Sequence, residues 1–296
     1  KPAEGGCEGG RRRRGWLTAM GATVPEDPAE THADDDVQSV PPEKAMRITF
    51  DAGIREWVEE ETNIRVAEQM FGIGEKFGAI RVYDEDLKTY MALKPWMQQG
   101  PAPKPQDLAK CQQVASKCAE LFSAMAASLG RGDVKTVFLK SCIYSLLQRA
   151  NVSTILGQAQ LPAEWDKRKI VHATDVESHK FAAFQFYSYF SSGRGMVITS
   201  ASTVQGMWTE PSIASTDRSI GGGTDGGADA IRVWSADFAR TYCSMLGLEE
   251  EALWALSPED FLYAMHLKGL LGAPESPFHA WRPPSNEPPL PFAPLP

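Results

Sequence analysis

One stretch decides the predicted fold: KFAAFQFY, residues 180–187. Four aromatic side chains in a short apolar run predict a buried helix there. Upstream, residues 106–129 repeat their apolar side chains at intervals of 3, 4 and 7, which predicts an amphipathic helix. Further helices are predicted over 134–147, 228–246 and 258–271, the last with Ser257 as its N-cap ahead of Pro258.

The rest of the middle of the chain is predicted to have less regular secondary structure. Apolar residues between Ile54 and Phe71 suggest a broken amphipathic helix, and residues 79–83 suggest a short strand. Asp84 is predicted to cap a further helix that carries Leu87 to Trp96. Residues 191–227 are rich in Ser, Thr and Gly, so they are predicted to form a loop region.

Both ends of the chain have the composition of extended segments. Residues 1–44 combine glycines, the arginine run 11–14 and the acidic run 34–36 with few apolar side chains, which predicts disorder. Residues 272–296 contain nine prolines, which exclude a helix or a central strand. The predicted fold class is mainly α: a helical-bundle core with an extended N-terminal arm and an extended Pro-rich C-terminal tail.

The charge of the whole chain hides an uneven distribution. The 296 residues carry a net charge of −8, which argues against a nucleic-acid binder. By segment, residues 1–106 carry −5, residues 107–200 carry +4 and residues 201–296 carry −7. A positive strip inside an acidic protein could hold a polyanion. A solvated helix face is the alternative explanation of the same charges.

Several short patterns match functional motifs in residue type but not in context. Gly221-x-Gly223-x-x-Gly226 matches a dinucleotide fingerprint, but a poor strand precedes it and its composition favours a flexible linker. His172, Asp175 and His179 could share a helix face as metal ligands, although surface histidines are favoured. The five cysteines are odd in number and include no CxxC, which is typical of reduced thiols in a cytosolic protein. The interpretation is therefore no enzyme, no metal, no cofactor and no membrane span.

Two segments resemble a known family. LPAEW at 161–165, followed by HKFAAFQFY at 179–187, is similar to coat (capsid) proteins of flexuous filamentous plant viruses of the potexvirus and carlavirus (alphaflexivirus) type. The resemblance implies a helical core whose basic groove holds genomic single-stranded RNA without sequence specificity. It also implies identical coat subunits that polymerise into a virion in the host cytoplasm.

The composition and the resemblance together divide the chain. They predict a disordered region 1–44, an arm 45–60 that docks on a neighbouring subunit, an RNA-binding core 61–200, a C-terminal helical region 201–271 and a tail 272–296. The residues expected to bind RNA are Arg131, Lys135, Lys140, Lys180, Gln185 and Arg194, and the expected subunit-interface residues are Ile48, Phe50 and Ile54. Two alternatives stay open: a non-catalytic helical adaptor that uses its Pro-rich tail, and an enzyme that uses His172 or His179.

Overall fold

The chain folds into two compact units of mixed α and β structure. The computed structural model describes residues 37–73, 76–98, 101–149, 154–160, 168–169, 175–204 and 206–273. One unit comprises residues 1–109 and 140–162, and the other comprises residues 110–139 and 163–296. The described residues contain ten strands, so the prediction of a mainly α fold is wrong. None of the described helices is long and apolar enough to cross a bilayer.

The first unit is a closed six-stranded barrel. Its strands are β1 (Glu43–Asp51), β2 (Glu56–Ile73), β3 (Gly78–Asp84), β4 (Thr89–Leu93), β6 (Ser141–Leu146) and β7 (Ile155–Ala159). They run in the order β1-β2-β3-β4-β7-β6, and each neighbouring pair is antiparallel. Alternate side chains such as Ile64 and Val66 of β2 are buried, because successive residues of a strand point to opposite faces.

Two predicted helices of this unit are wrong. The residues between Ile54 and Phe71 belong almost entirely to β2, whose centre alternates buried Thr62, Ile64 and Val66 with polar residues. Asp84 does not cap a helix. Its Oδ1 accepts the backbone N–H groups of Asp86 and Leu87, which closes the tight turn from β3 into β4. The short strand predicted at 79–83 is confirmed as β3.

A buried ionic network crosses the barrel interior. The Asp84 carboxylate is fully buried, and its two oxygens accept hydrogen bonds from Arg47 Nη1, at 3.1 and 2.9 Å. Tyr144 donates its hydroxyl to Asp84 Oδ2 at 2.7 Å, and Thr62 donates to Oδ1 at 3.1 Å. Arg47 Nη2 also reaches Glu60 at 2.6 Å. Four strands are therefore joined through one carboxylate.

The second unit packs helices against a small sheet. The helices are α1 (Pro105–Ser128, whose first turn lies in the first unit), α2 (Val176–Ser191), α3 (Gly227–Leu246), α4 (Glu250–Ala255) and α5 (Pro258–Leu267). The strands β5 (Val137–Phe138), β8 (Arg168–Lys169), β9 (Met196–Val204) and β10 (Met207–Ser215) form a sheet in the order β5-β10-β9-β8. The core contains the aromatic side chains of α2, which pack on Phe122 and Trp208.

More of the predicted helices are confirmed in the second unit than in the first. The helices expected at 106–129, 180–187, 228–246 and 258–271 are confirmed as α1, α2, α3 and α5, and Ser257 caps α5 by accepting Asp260 N–H. The helix predicted at 134–147 is wrong, because Val137–Phe138 and Ser141–Leu146 form β5 and β6. The loop predicted at 191–227 is also wrong, because most of it forms the β9–β10 hairpin.

Candidate functional site

The β9–β10 hairpin carries an exposed acidic residue in an unusual backbone conformation. The register between the strands shifts between Thr209 and Ser212, so Glu210 and Pro211 form a bulge. Glu210 has φ +52°, in the left-handed region. That conformation costs a residue with a side chain about 1–2 kcal/mol, and such strain concentrates at functional sites. Of the five non-glycine residues with positive φ in the described part of the chain, only Glu210 carries a carboxylate, so it is the leading candidate for a chemical role.

A buried amide holds this bulge in place. Gln112 of α1 is 4% exposed, and its Oε1 accepts the backbone N–H of Glu210 at 3.2 Å. Its Nε2 donates to the carbonyl of Leu139 at 2.8 Å, and Leu139 N–H donates to Trp208 O at 2.8 Å. The bulge is thus tied to α1 and to the segment after β5. The backbone is fixed while the Glu210 side chain remains at the surface.

Hydroxyl groups dominate the strand opposite the bulge. Ser202 pairs with Thr209 and Ser200 pairs with Ser212, so both serines flank the bulge on β9. Glu210 is the one carboxylate on the two strands. Across the described parts of the chain, no group of three or more His, Cys, Asp or Glu side chains could hold a metal ion. The Glu210 carboxylate could therefore accept a proton or orient a hydroxyl group without a metal ion held by neighbouring side chains.

The glycine-rich stretch after β10 is an ordered turn around Asp225. This carboxylate is 5% exposed and accepts Ser215 N–H at 2.7 Å, Gly227 N–H at 2.9 Å and Gly221 N–H at 3.4 Å, together with the Ser215 hydroxyl. A Cβ on Gly221 would lie 3.1 Å from both Asp225 N and Cys111 Sγ, so this position favours glycine. The interpretation of residues 221–227 as a flexible linker is wrong.

That turn is not a dinucleotide fingerprint either. The strand before it, β10, pairs antiparallel with β9, and no parallel strand follows α3 among the described residues, so the βαβ unit that the motif requires is missing. The Asp225 carboxylate already takes the Gly221 and Gly227 N–H groups, which leaves them unavailable to a phosphate. The turn connects the β9–β10 hairpin rigidly to the start of α3.

In the first unit, Lys94 follows a buried barrel strand. The sequence Met91-Ala92-Leu93-Lys94 resembles the V-A-I-K strand pattern of protein kinases, in which the lysine contacts nucleotide phosphates. Leu93 is fully buried and Lys94 N–H donates to Leu156 O at 2.8 Å, so the lysine's backbone is fixed by β7. Its side chain is half-buried.

Comparison with known families decides the relationship. The sequence profile of the alpha-kinase family matches residues 43–244, more than half of the chain. The chain belongs to the alpha-kinase family. Its similarity to solved structures agrees: the apoenzyme alpha-kinase domain of myosin-II heavy chain kinase A has a TM-score of 0.57 at 17% identity, covering 72% of this chain and 98% of that one.

Two further solved structures are similar to this alpha-kinase chain. The alpha-kinase domain of myosin heavy chain kinase A in complex with ADP has a TM-score of 0.55 at 18% identity, over 67% of this chain and 92% of that one. The AMP-PNP complex of the myosin-II heavy chain kinase A domain gives 0.55 at 17% identity over the same shares. At these identities the likeness shows the fold. No curated protein sequence matches the chain significantly.

Membership in the alpha-kinase family overturns the coat-protein interpretation. A helical coat protein of a flexuous virus and a non-catalytic adaptor are both wrong, as are the expectations of no enzyme and of a virion location. Genomic RNA and identical coat subunits are likewise wrong as partners. The resemblance rested on aromatic residues of α2, and Phe181, Phe184, Phe186 and Tyr187 are all core residues at 5% exposure or less. LPAEW at 161–165 lies outside the described residues.

The residues expected to bind RNA divide between the two units and between buried and exposed positions. Lys140 belongs to the first unit, whereas the other five belong to the second. Arg131 and Gln185 are buried, at 1% and 0% exposure. Gln185 Nε2 donates to the carbonyls of Ile198 and Thr199, and Lys180 Nζ donates to Asp133 O at 3.0 Å. Lys135 and Arg194 are exposed, and Arg194 lies 5.0 Å from the Phe190 ring centroid.

The proposed interface residues lie on the β1–β2 hairpin. Ile48 is half-buried, Phe50 is 5% exposed and packs edge-on against Trp57, and Ile54 at the tip is 62% exposed. Coat subunits are excluded as partners of these residues. Phe50 and Trp57 instead pack against each other within the hairpin. Of the other predicted segments, residues 1–36 and 274–296 lie outside the described part of the chain.

The histidines proposed for catalysis are in different situations. His172 lies outside the described residues, and His179 is 6% exposed with Nδ1 2.9 Å from the Leu270 carbonyl. His266, which sequence reasoning left out, lies 2.6 Å through Nδ1 from Arg131 Nη1. Because a guanidinium only donates, this Nδ1 must be an unprotonated acceptor, so His266 is neutral. Arg131 also pairs with Asp133 and donates to Leu271 O at 3.2 Å, which ties the end of α5 to the turn after α1.

The pH dependence of stability follows from His266. Burial and the neighbouring Arg131 guanidinium lower its pKa below the ordinary value, with Asp133 opposing them. The unfolded chain therefore binds the proton more tightly, and the free energy of unfolding falls as pH drops through the unfolded pKa of about 6.5 toward the lower folded pKa. We expect urea unfolding to lose stability over that interval and His266→Gln to lose this part of the slope. An unchanged slope in the variant would contradict the assignment.

Proposed function

We propose that this chain is a protein kinase that transfers the terminal phosphoryl group of ATP to a hydroxyl group of a protein substrate. Membership in the alpha-kinase family supports the reaction class. The observation that carries the proposal within the chain is Glu210, an exposed carboxylate in a left-handed bulge that buried Gln112 holds. Catalysis of phosphoryl transfer is mostly positioning and electrostatic stabilisation, so a rigidly held carboxylate suits it.

Glu210 would orient the attacking hydroxyl and accept its proton. The hydroxyl proton is lost as the bond to phosphorus forms, so the base acts chiefly by its position. The hydrogen bonds from Glu210 N–H to Gln112 and from Ser215 N–H to Asp225 fix β10 at the bulge and at its end. A substrate hydroxyl aligned by Glu210 would therefore meet a base whose backbone does not need to reorganise.

The residues present fit a nucleotide's phosphates better than they fit a protein-held metal cage. Lys94, with its backbone fixed at the end of β4, is the residue we assign to phosphate contact in the first unit. Mg²⁺ usually keeps waters and is held by one or two carboxylates plus the substrate phosphates. The described residues offer no cluster of acidic groups that would hold the ion by themselves. No step of the proposed mechanism is therefore assigned to a metal.

The proposal is tested by replacing the carboxylate alone. Glu210→Gln keeps the size and the backbone contact with Gln112 but cannot accept the proton. We expect the rate of phosphate transfer from radiolabelled ATP to a mixed protein substrate to fall by about 10²–10⁴-fold. ATP binding, followed with a fluorescent analogue, should stay within a factor of about three, because the side chain is assigned to the acceptor hydroxyl.

Two further variants sharpen that test. Glu251→Gln removes an exposed carboxylate from α4 of the same unit and should leave the rate unchanged. Lys94→Met should instead weaken nucleotide binding, which separates the two roles. The kinase assignment is wrong if the wild-type chain transfers no phosphate. The role of Glu210 is wrong if Glu210→Gln transfers phosphate as fast as Glu251→Gln.

A further inference from the structure

The β1–β2 hairpin leaves one edge of the first unit open. Strand β2 pairs with β1 from Glu56 to Ile64, but its pairing with β3 begins only at Ile64. Among the described residues, no strand pairs with the other edge of residues 56–62. An open edge presents backbone N–H and C=O groups that can bind an additional extended segment.

The direction of the open backbone groups follows from one hydrogen bond. Asn63 O accepts Glu85 N–H at 2.9 Å, so the backbone groups of Asn63 point away from β1. These directions alternate along a strand that pairs without a register shift, as β2 does with β1. The N–H and C=O groups of Trp57, Glu59 and Glu61 therefore point to the open edge. Three successive positions are available for a new strand.

The charges along this edge select its occupant. Glu56, Glu59, Glu60 and Glu61 are all exposed. Lys44 pairs with Glu61 and Arg47 pairs with Glu60, whereas Glu56 and Glu59 have no cationic partner in the described part of the chain. Glu59 and Glu56 lie on opposite faces of the hairpin, since successive residues alternate. A second copy of the strand would place like charges opposite each other, which is destabilising.

We propose that residues Arg11–Arg14 of the same chain add to the open edge of β2 as an extra strand. In an extended segment, four consecutive arginines place two guanidinium groups on each face, which matches carboxylates on both faces of the hairpin. The chain enters the barrel nearby: Val37 is 2% exposed, and Arg65 Nη1 donates to the carbonyls of Gln38 and Val40 at 2.7 Å each.

The connecting chain is long enough for this contact. Residues 15–36 lie between the arginines and Val37, and fully extended they could span roughly 70 Å. A covalent connection of this length gives an effective concentration on the order of millimolar, so a weak contact can be well occupied within one molecule. The proposal does not depend on the kinase activity proposed above.

Amide hydrogen exchange of the full chain tests the extra strand. We expect the amides of Trp57, Glu59 and Glu61 to exchange roughly tenfold or more faster when all four arginines are replaced by serine, because their hydrogen-bond partners are lost. A synthetic peptide of residues 8–17 added to that variant should restore slow exchange. The same peptide with glutamate in place of each arginine should not.

A second variant controls for a general loss of positive charge. Replacing the exposed Arg232 and Arg240 of α3 by serine removes cationic groups from the other unit and should leave exchange at the three amides unchanged. Equal exchange in the wild type and the four-serine variant would overturn the proposal. Slow exchange that persists in the variant and grows with protein concentration would also overturn it, because a second copy would then be the occupant.

Discussion

Replacement of Asp84 by alanine is expected to lower the free energy of unfolding of the barrel by about 3–5 kcal/mol, the usual cost of removing one partner of a buried ion pair. The carboxylate is fully buried and joins Arg47, Tyr144 and Thr62. Its loss leaves the Arg47 side chain, which is 10% exposed, with only the surface carboxylate of Glu60. The turn N–H groups of Asp86 and Leu87 also lose their acceptor.

The ionised form of Asp84 is the stabilising one. Burial by itself would raise its pKa, but the Leu87 N–H, the Tyr144 hydroxyl and Arg47 together hold the pKa below its ordinary value. A group with a depressed folded pKa contributes stability above its unfolded pKa and loses it as pH falls through the folded value. Asp84→Asn, which keeps the shape but not the charge, should therefore fall between wild type and Asp84→Ala at neutral pH.

The measurement should report on the barrel alone, because the chain has two units and its global unfolding need not be two-state. Urea-dependent hydrogen exchange of the β3 and β4 amides meets this need. Asp86→Ala, in the same turn but exposed, is the matched control and should change stability by no more than about 0.5 kcal/mol. If the two alanine variants lose protection at the same urea concentration, the network is not a stabilising element.

The helices could be predicted because their periodicity survives in the sequence. The apolar residues of α1 face one core, and Phe181, Phe184 and Phe186 of α2 are all buried. β2 defeated the same reasoning. Its register against β3 shifts between Val66 and Met70 and again before Gly72, so its apolar residues lose the alternation that marks a strand. The spacing of Ile64, Ala67 and Phe71 then imitates a helix.

The β9–β10 hairpin was missed for a compositional reason. Its strands are rich in serine and threonine, which usually indicate loops, yet Thr203, Thr209 and Ser215 are buried in a sheet. The conformation of Glu210 depends on Gln112, about a hundred residues earlier in the chain, so nothing in the local sequence marks this site. Lys94 left a detectable signal, since it follows an apolar strand in a kinase-like pattern.

Segment charge proved a poor guide to surfaces. The +4 balance of residues 107–200 suggested a basic groove, but these residues divide between two units. Within that segment, the Arg131 guanidinium donates hydrogen bonds to Asp133, His266 and the Leu271 carbonyl. A buried guanidinium that is already paired stabilises the fold, and its positive charge attracts a polyanion at the surface only weakly.

Replacement of Asp225 by alanine is expected to release the glycine-rich turn and to lower the free energy of unfolding of the second unit by about 3 kcal/mol. Asp225 is nearly buried and receives three backbone N–H groups and the Ser215 hydroxyl. Hydrogen bonds to an ionised group contribute about 1.5–3 kcal/mol, and donors left buried without an acceptor add a desolvation cost. The effect should be largest at Ser215 and Gly227, whose N–H groups lie 2.7 and 2.9 Å from the carboxylate.

The same change should reach the proposed catalytic carboxylate through β10. Ser215 ends the strand whose other part holds Glu210, so loosening the turn frees one end of the bulge while Gln112 still holds the other. Phosphate transfer should fall with nucleotide binding little changed, and the Ser215 and Gly227 amides should exchange faster. Asp217→Ala is the matched control, because Asp217 also accepts a turn N–H, from Ser219 at 3.0 Å, but is exposed. Equal stability of the two variants would show that burial of the Asp225 carboxylate does not order this turn.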